Sequence, residues 1–168
     1  CGDRLDCVRR VTHMMKSCPN CGATRIESRT MKRKRHVAGH EFAADLRAGV
    51  CTACGASYFD DVVVGQFDVL VAARLAEAGV TEPEALKFMR KVTGLQGKEF
   101  AELLAVRPET VSRWEQGRRP IDRATYAVIR QLVLERALGL TATTDYLRSL
   151  RRPKRLPKTV KISMPRAA

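Results

Sequence analysis

The sequence predicts a mainly α fold, in which an all-helical domain over residues 83–139 follows a small β-rich module over residues 17–60. Three observations predict it. Apolar residues recur at helical spacing through residues 83–139, between proline starts and glycine stops. Residues 17–59 are poor in helix signals and hold paired cysteines, each pair followed by glycine. Aromatic residues are only 5% of a chain that is 45% hydrophobic, so aliphatic side chains must build the core.

In chain order, residues 1–16 read as an extension that need not be native. Met14 and Met15 stand just ahead of the first cysteine pair, and Cys1 and Cys7 lack paired spacing. In the module at 17–60, Thr24–Met31 and His36–Val50 read as short, irregular strands, with Lys32-Arg33-Lys34-Arg35 in a hairpin loop. Residues 61–82 form a helical linker. Val62, Val63, Phe67, Leu70, Val71 and Leu75 recur near helical spacing and Gly79 stops the helix. That helix either connects two modules or helps build a dimer seam.

Within 83–139, Pro83 opens a helix that ends near Thr93-Gly94. Lys98–Ala105 is the next. Pro108–Gln116 is the third, closed by Gly117, and Ile121–Leu138 the fourth, closed by Gly139. Residues 140–168 read as a basic, disordered tail, with Pro153, Pro157 and Pro165 among basic residues.

Charge narrows the partners. The net charge is +13. Residues 148–168 carry eight basic side chains and no acidic one, while residues 83–139 carry eleven basic and seven acidic ones. Such a surplus attracts a polyanion, and nucleic acid is the commonest. An anionic membrane surface fits less well, because no amphipathic apolar face adjoins the tail. No apolar run reaches the roughly 18–20 residues of a membrane span.

Cys18-Pro19-Asn20-Cys21 and Cys51-Thr52-Ala53-Cys54 are separated by 29 residues. Two residues between cysteines let one tight turn present both thiolates to one ion. Four thiolates complete a tetrahedral shell. The expectation is one structural Zn2+ per chain on Cys18, Cys21, Cys51 and Cys54, in a reducing compartment. His36 and His40 lie between the pairs but are not needed. A redox dithiol would require a βαβ context that the sequence lacks.

The stretch Leu95–Gly117 carries the functional reading. Phe100, Ala101 and Leu104 supply the inner face of one short helix, Val106 plugs the turn, and Val111 and Trp114 supply the inner face of the next. Arg107, Glu109, Thr110, Ser112 and Arg113 are left on the outer face or front end, where a helix in the major groove meets base edges. Arg113 suits a bidentate contact with guanine. Arg118 and Arg119 suit phosphate contacts, which position without specifying.

These residues resemble the Xre/Cro-type helix-turn-helix family. The resemblance rests on Gly94-Leu95, Lys98-Glu99-Phe100-Ala101, Val111-Ser112-Arg113-Trp114-Glu115, Gly117 and Pro120. It implies a structural ion pair between Arg90 and Glu115, a core Trp114, and phosphate contacts from Gln96, Gly97 and Lys98. The sequence departs from the family in placing Gly97 where glutamine is common and Arg107 where a serine or threonine cap is common.

With the two cysteine pairs in front, the chain resembles the MqsA-type (YgiT-like) antitoxin family over roughly residues 15–139. That resemblance implies a homodimer that binds double-stranded DNA at a palindromic operator and represses its own type II toxin–antitoxin operon. It also implies a ribonuclease-type toxin as partner. The other reading is a stand-alone transcription factor with a zinc-ribbon-like module and no toxin. Both place the protein in the cytoplasm, at the nucleoid. That leaves little room for a mature lipoprotein beginning at Cys1. An enzyme is not expected: no nucleophile–base pair or open metal site is evident, and His13, His36 and His40 lie outside the helical domain.

Overall fold

A computed structural model describes residues 16–151, 155 and 157–162. The expectations for Cys1, Cys7, His13 and most of residues 1–16, and for Pro153 and Pro165, lie outside the described residues.

Two long strands, β1 (Ile26–Val37) and β2 (His40–Cys51), form an antiparallel hairpin in continuous register from Ile26↔Cys51 to Val37↔His40. A short strand, β3 (Ser57–Phe59), pairs with the base of β2, so the sheet order is β1-β2-β3. The turn is Ala38-Gly39, both at positive φ (51° and 77°), as a two-residue hairpin turn of the right twist demands. Alanine disfavours that region by about 1 kcal/mol. The carboxylate of Glu84 accepts the Ala38 N–H at 2.8 Å and holds the tip against the helices.

The run Lys32–Arg35 therefore lies within β1, not in the loop. Alternation divides it between two faces. Lys32 and Lys34 are exposed, while Arg33 and Arg35 are half-buried on the inner face. The Arg33 guanidinium lies 5.4 Å from the centre of the Phe59 ring. That of Arg35 lies over Phe88 and donates from Nε to Asp68 Oδ1 at 2.9 Å. Long arginine stems cover apolar surface here while their charged heads find an aromatic face or a carboxylate.

Helix α1 (Asp61–Glu77) starts where the Asp60 side chain accepts the Val62 N–H at 2.7 Å. Phe67, Val71, Ala72, Leu75 and Ala76 on it are buried. It packs against α2 (Pro83–Val92) and α5 (Arg123–Ala137), and it touches β2. The core joins these residues to Leu86 and Met89 of α2 and to Ile129, Leu132 and Val133 of α5. Residues 61–77 are thus a central core element rather than a connector. Between α2 and α5 lie α3 (Gly97–Leu103) and α4 (Pro108–Glu115), which pack on each other. At the end of α4, Gly117 sits at φ +70°, where a Cβ would come within 3.1 Å of Pro83 Cγ. Glycine serves both needs there.

The fold is accordingly mixed, with three antiparallel strands and six helices among the described residues, 46% helical and 19% strand. This corrects the expected fold class. The chain is not mainly α, and its helices are not a self-contained all-helical domain of the Xre type. Val37 belongs to the same apolar core as the helices, and Ala38, Phe42, Ala44 and Leu46 pack against it. The hairpin is structurally part of the body.

The described start of the tail, residues 140–151, also departs from expectation. Ala142–Leu150 form a helix, α6. Glu135, only 7% exposed, accepts from the Thr143 backbone N–H (2.8 Å), the Thr143 hydroxyl (2.6 Å) and the Gln131 amide (3.0 Å). The Thr143 hydroxyl above all, then Gln131, holds this carboxyl below the ordinary glutamate value of 4.5. A depressed value means that the contact stabilises the fold above the ordinary value and weakens as pH falls through the depressed one. Hydrogen exchange at the Thr143 amide is expected to accelerate on acidification below pH 4.5, beyond the intrinsic pH trend. Glu135→Gln is expected to remove that extra dependence, and an unchanged profile would show that Glu135 does not hold α6.

Candidate metal centre and nucleic-acid interface

The two cysteine pairs fold alike. In the first, Gly22 N–H donates to Cys18 O (2.8 Å) and Cys18 N–H to Ala23 O (2.8 Å). In the second, Gly55 N–H donates to Cys51 O (2.9 Å) and Cys51 N–H to Ala56 O (2.9 Å). Gly22 and Gly55 both have positive φ (74° and 72°), which lets each turn curl around its sulfurs. The hairpin register brings the pairs together: Ile26 is opposite Cys51, and Thr52 N–H donates to Arg25 O.

The Sγ atoms of Cys18, Cys21, Cys51 and Cys54 all lie within 4.8 Å of one another. Cys18–Cys54 and Cys21–Cys51 are each 3.6 Å apart. Four sulfurs about 2.3 Å from one ion at tetrahedral corners stand about 3.8 Å apart. The donor set and its dimensions therefore fit one metal ion. His36 and His40 are not in this cluster. They lie at the far end of the hairpin, where the exposed His36 ring is 3.2 Å from Glu41.

Local polar groups favour thiolates unevenly. The Tyr58 hydroxyl, 3.3 Å from Cys18 Sγ, is the main cause that draws the Cys18 thiol down to about 6. A backbone bond at Ala56, then the Asn20 side-chain amide, lowers Cys54 as well. A backbone bond at Ala23 pulls Cys21 down, but the neighbouring Cys54 and Cys51 sulfurs and burial outweigh it and push it up to about 12. Sulfurs this close cannot all ionise without a cation between them. Tyr58 and Asn20 were not legible as partners of the metal site. The only signal was their position beside or within the cysteine pairs.

The second cluster lies on α3 and α4. Phe100 and Ala101 of α3 are buried, as are Val111 and Trp114 of α4. Leu104 and Val106 are half-buried against the same core. Arg90 on α2 reaches Glu115 on α4 through Nε and Nη2 (the latter at 3.1 Å) and donates from Nη1 to Leu95 O at 3.1 Å. Gln96 caps α3, its N–H accepted by Glu99 Oε2 at 2.9 Å. Gly97 is the first helical residue and Lys98 is exposed. Arg107 caps α4 with backbone alone, and Pro108 holds the first helical position.

Arg107, Glu109, Ser112, Arg113, Arg118 and Arg119 are exposed, and Thr110 is half-buried. An open groove is lined by Pro108, Glu109, Ser112, Arg113, Gln116 and Arg118. The N–H groups of Arg118 and Arg119 both donate to Arg113 O (2.9 and 3.3 Å), so all three arginines start from one point. Gln116, absent from the sequence expectation, donates to Ser112 Oγ at 2.9 Å. Its place four residues after Ser112 was the available signal. Thr110, Gln96, Gly97, Lys98, Arg107 and Arg119 do not line this groove.

No helix among the described residues is long and apolar enough to cross a membrane. A scan of protein-family models finds no match to the chain, and a search of curated proteins finds none either.

Proposed function

We propose that this protein is a sequence-specific DNA-binding transcriptional regulator that reads the major groove with α4. The observation that carries the reading is the division of α4 into two faces. Val111, Trp114 and Glu115 lock its inner side to the core and to Arg90, while Ser112 and Arg113 stand exposed beside an open groove flanked by Arg118. A rigid helix with an exposed arginine is suited to bidentate recognition of guanine. Arg118, Arg119 and the first turn of α3 at Gln96, Gly97 and Lys98 are suited to phosphate.

The four-cysteine site holds Zn2+ in this reading. A closed thiolate shell has no open position for water, so the ion is structural. The cysteine module ahead of the helices supports the finer reading, an MqsA-type autorepressor with a ribonuclease-type toxin as partner. Leu138, Leu140, Tyr146 and Leu150 are exposed around the end of α5 and on α6. They offer apolar surface to a second copy, and a dimer would match a palindromic operator.

Selection from random-sequence duplex DNA tests the proposal. Wild-type protein is expected to enrich one palindromic sequence. Arg113→Ala is expected to lose about 1–3 kcal/mol, roughly 5- to 150-fold, on that sequence and much less on unrelated DNA. Arg119→Ala is expected to weaken both alike. Failure to enrich any sequence would reject the proposal, and equal loss from Arg113→Ala on all DNA would reduce Arg113 to a phosphate contact.

A further inference from the structure

We infer that Tyr58 is a positioning residue of the metal centre, whose hydroxyl donates a hydrogen bond to the metal-bound Cys18 thiolate and slows loss of the ion. This rests on the four-thiolate reading given above and deepens it.

The two cysteine turns are alike in backbone, but they differ four residues past the second cysteine of each pair. After Cys21 that position is Arg25, which offers only its carbonyl, to Thr52 N–H at 3.2 Å. After Cys54 it is Tyr58, on β3, whose hydroxyl lies 3.3 Å from Cys18 Sγ in the opposite turn. Pairing of Tyr58 with Gly49 on β2 fixes where the ring starts. Cys18 is among the most buried sulfurs, at 1% exposure, and β3 leads within two residues into the α1 cap at Asp60. The hydroxyl thus ties the first turn to a strand that runs from the second turn into the start of the helical body.

A tetrathiolate around a divalent ion carries net negative charge. Outer donors to the sulfurs spread that charge, and their loss costs about 10- to 100-fold in metal affinity. Water can solvate the exposed Cys21 and Cys54. Cys18 and Cys51 are both buried, and at Cys18 the Tyr58 hydroxyl stands where water does not reach. Once Cys18 is a metal thiolate it only accepts, so the phenol must donate.

Tyr58→Phe keeps the ring and removes the donor. Co2+ substituted for Zn2+ in the full chain reports on the sulfurs through its sulfur-to-metal charge-transfer band. The variant is expected to shift that band to longer wavelength, because an undonated sulfur lone pair lies higher in energy. Transfer of Zn2+ to a chromophoric chelator is expected to run about tenfold faster. An unshifted band together with transfer within about twofold of wild type would overturn the inference.

A second measurement does not depend on the variant folding. Of the three tyrosines, Tyr58 is the one hydrogen-bonded to a cysteine among the described residues; the others are Tyr126 and Tyr146. Protein made with 3-fluorotyrosine keeps every ring and carries a stronger donor, so the band is expected to move to shorter wavelength. No movement would overturn the inference. Failure of the metal reading looks different: wild-type protein with reduced thiols would then bind neither ion.

Discussion

Replacing Cys51 by serine is expected to strip the metal from the chain and to unfold the base of the hairpin while leaving the helical core standing. Wild-type protein is expected to hold about one Zn2+ per chain. In small metal modules the binding free energy, about 10–16 kcal/mol in apparent terms, is folding free energy. Here it acts locally. Among the described residues, the cysteine turns have no apolar cluster of their own beyond the buried Cys18 and Cys51 sulfurs, and Tyr58 is half-buried. Eleven residue steps along β1, at about 3.3 Å each, place the tip about 36 Å away. There Val37 enters the core and Glu84 holds Ala38. Hydrogen exchange read along β1 and β2 is therefore expected to show protection lost at the Ile26–Cys51 end and retained at the Val37–His40 end. Uniform loss through α1 and α5 would mean that the metal sustains the whole body. Retention of the full metal content by Cys51→Ser would sink the four-thiolate site.

That division of stability explains what could be read from the sequence. The cysteine spacing is a local pattern with few physical solutions, and it named the four sulfurs that the fold brings together. The inner face of α4 was legible for a similar reason, since Val111 and Trp114 are three apart and apolar among polar neighbours. The hairpin was legible as two strands and a turn, but its turn was placed at Lys32–Arg35 instead of Ala38-Gly39. Its inner face is built on β1 from Met31, Arg33 and Arg35 rather than from a run of apolar residues, so two-residue alternation was hidden beneath a basic cluster. Only tertiary partners, Phe59, Phe88 and Asp68, turn those arginines inward. Helix α1 was legible as a helix but not as a core element. Exposed Val62 and Leu70 share it with buried Phe67, Val71 and Leu75, so apolar residues surround it and periodicity alone could not show its buried side. Helix α6 was missed because what holds it is Glu135, eight residues earlier in the chain than Thr143.

Arg90→Ala is expected to cost about 3 kcal/mol of stability, which lowers the melting temperature by roughly 6–12 °C for a chain of this size. The Arg90 and Glu115 side chains are only 13% and 15% exposed. One guanidinium serves three elements: its own helix α2, α4 through Glu115, and the segment before α3 through Leu95 O. Its removal leaves the Glu115 carboxylate largely desolvated and without its partner. That uncompensated charge, rather than the attraction lost, is the larger cost, and it reaches about 3–5 kcal/mol in buried pairs. Residual hydration at this site favours the lower end. The distinction can be measured. Arg90→Met combined with Glu115→Leu removes both charges and fills the space, so it is expected to be more stable than either single variant and close to wild type. A double variant that equals the sum of the singles would show two independent surface charges. The functional readout separates stability from positioning. Without the ion pair, Val111 and Trp114 still bury α4, but the polar tie that fixes its rotation against α2 is lost. The double variant is therefore expected to regain its melting temperature and yet bind the selected DNA more weakly than wild type, while its affinity for unrelated DNA stays the same. Recovery of both together would assign the pair to stability alone.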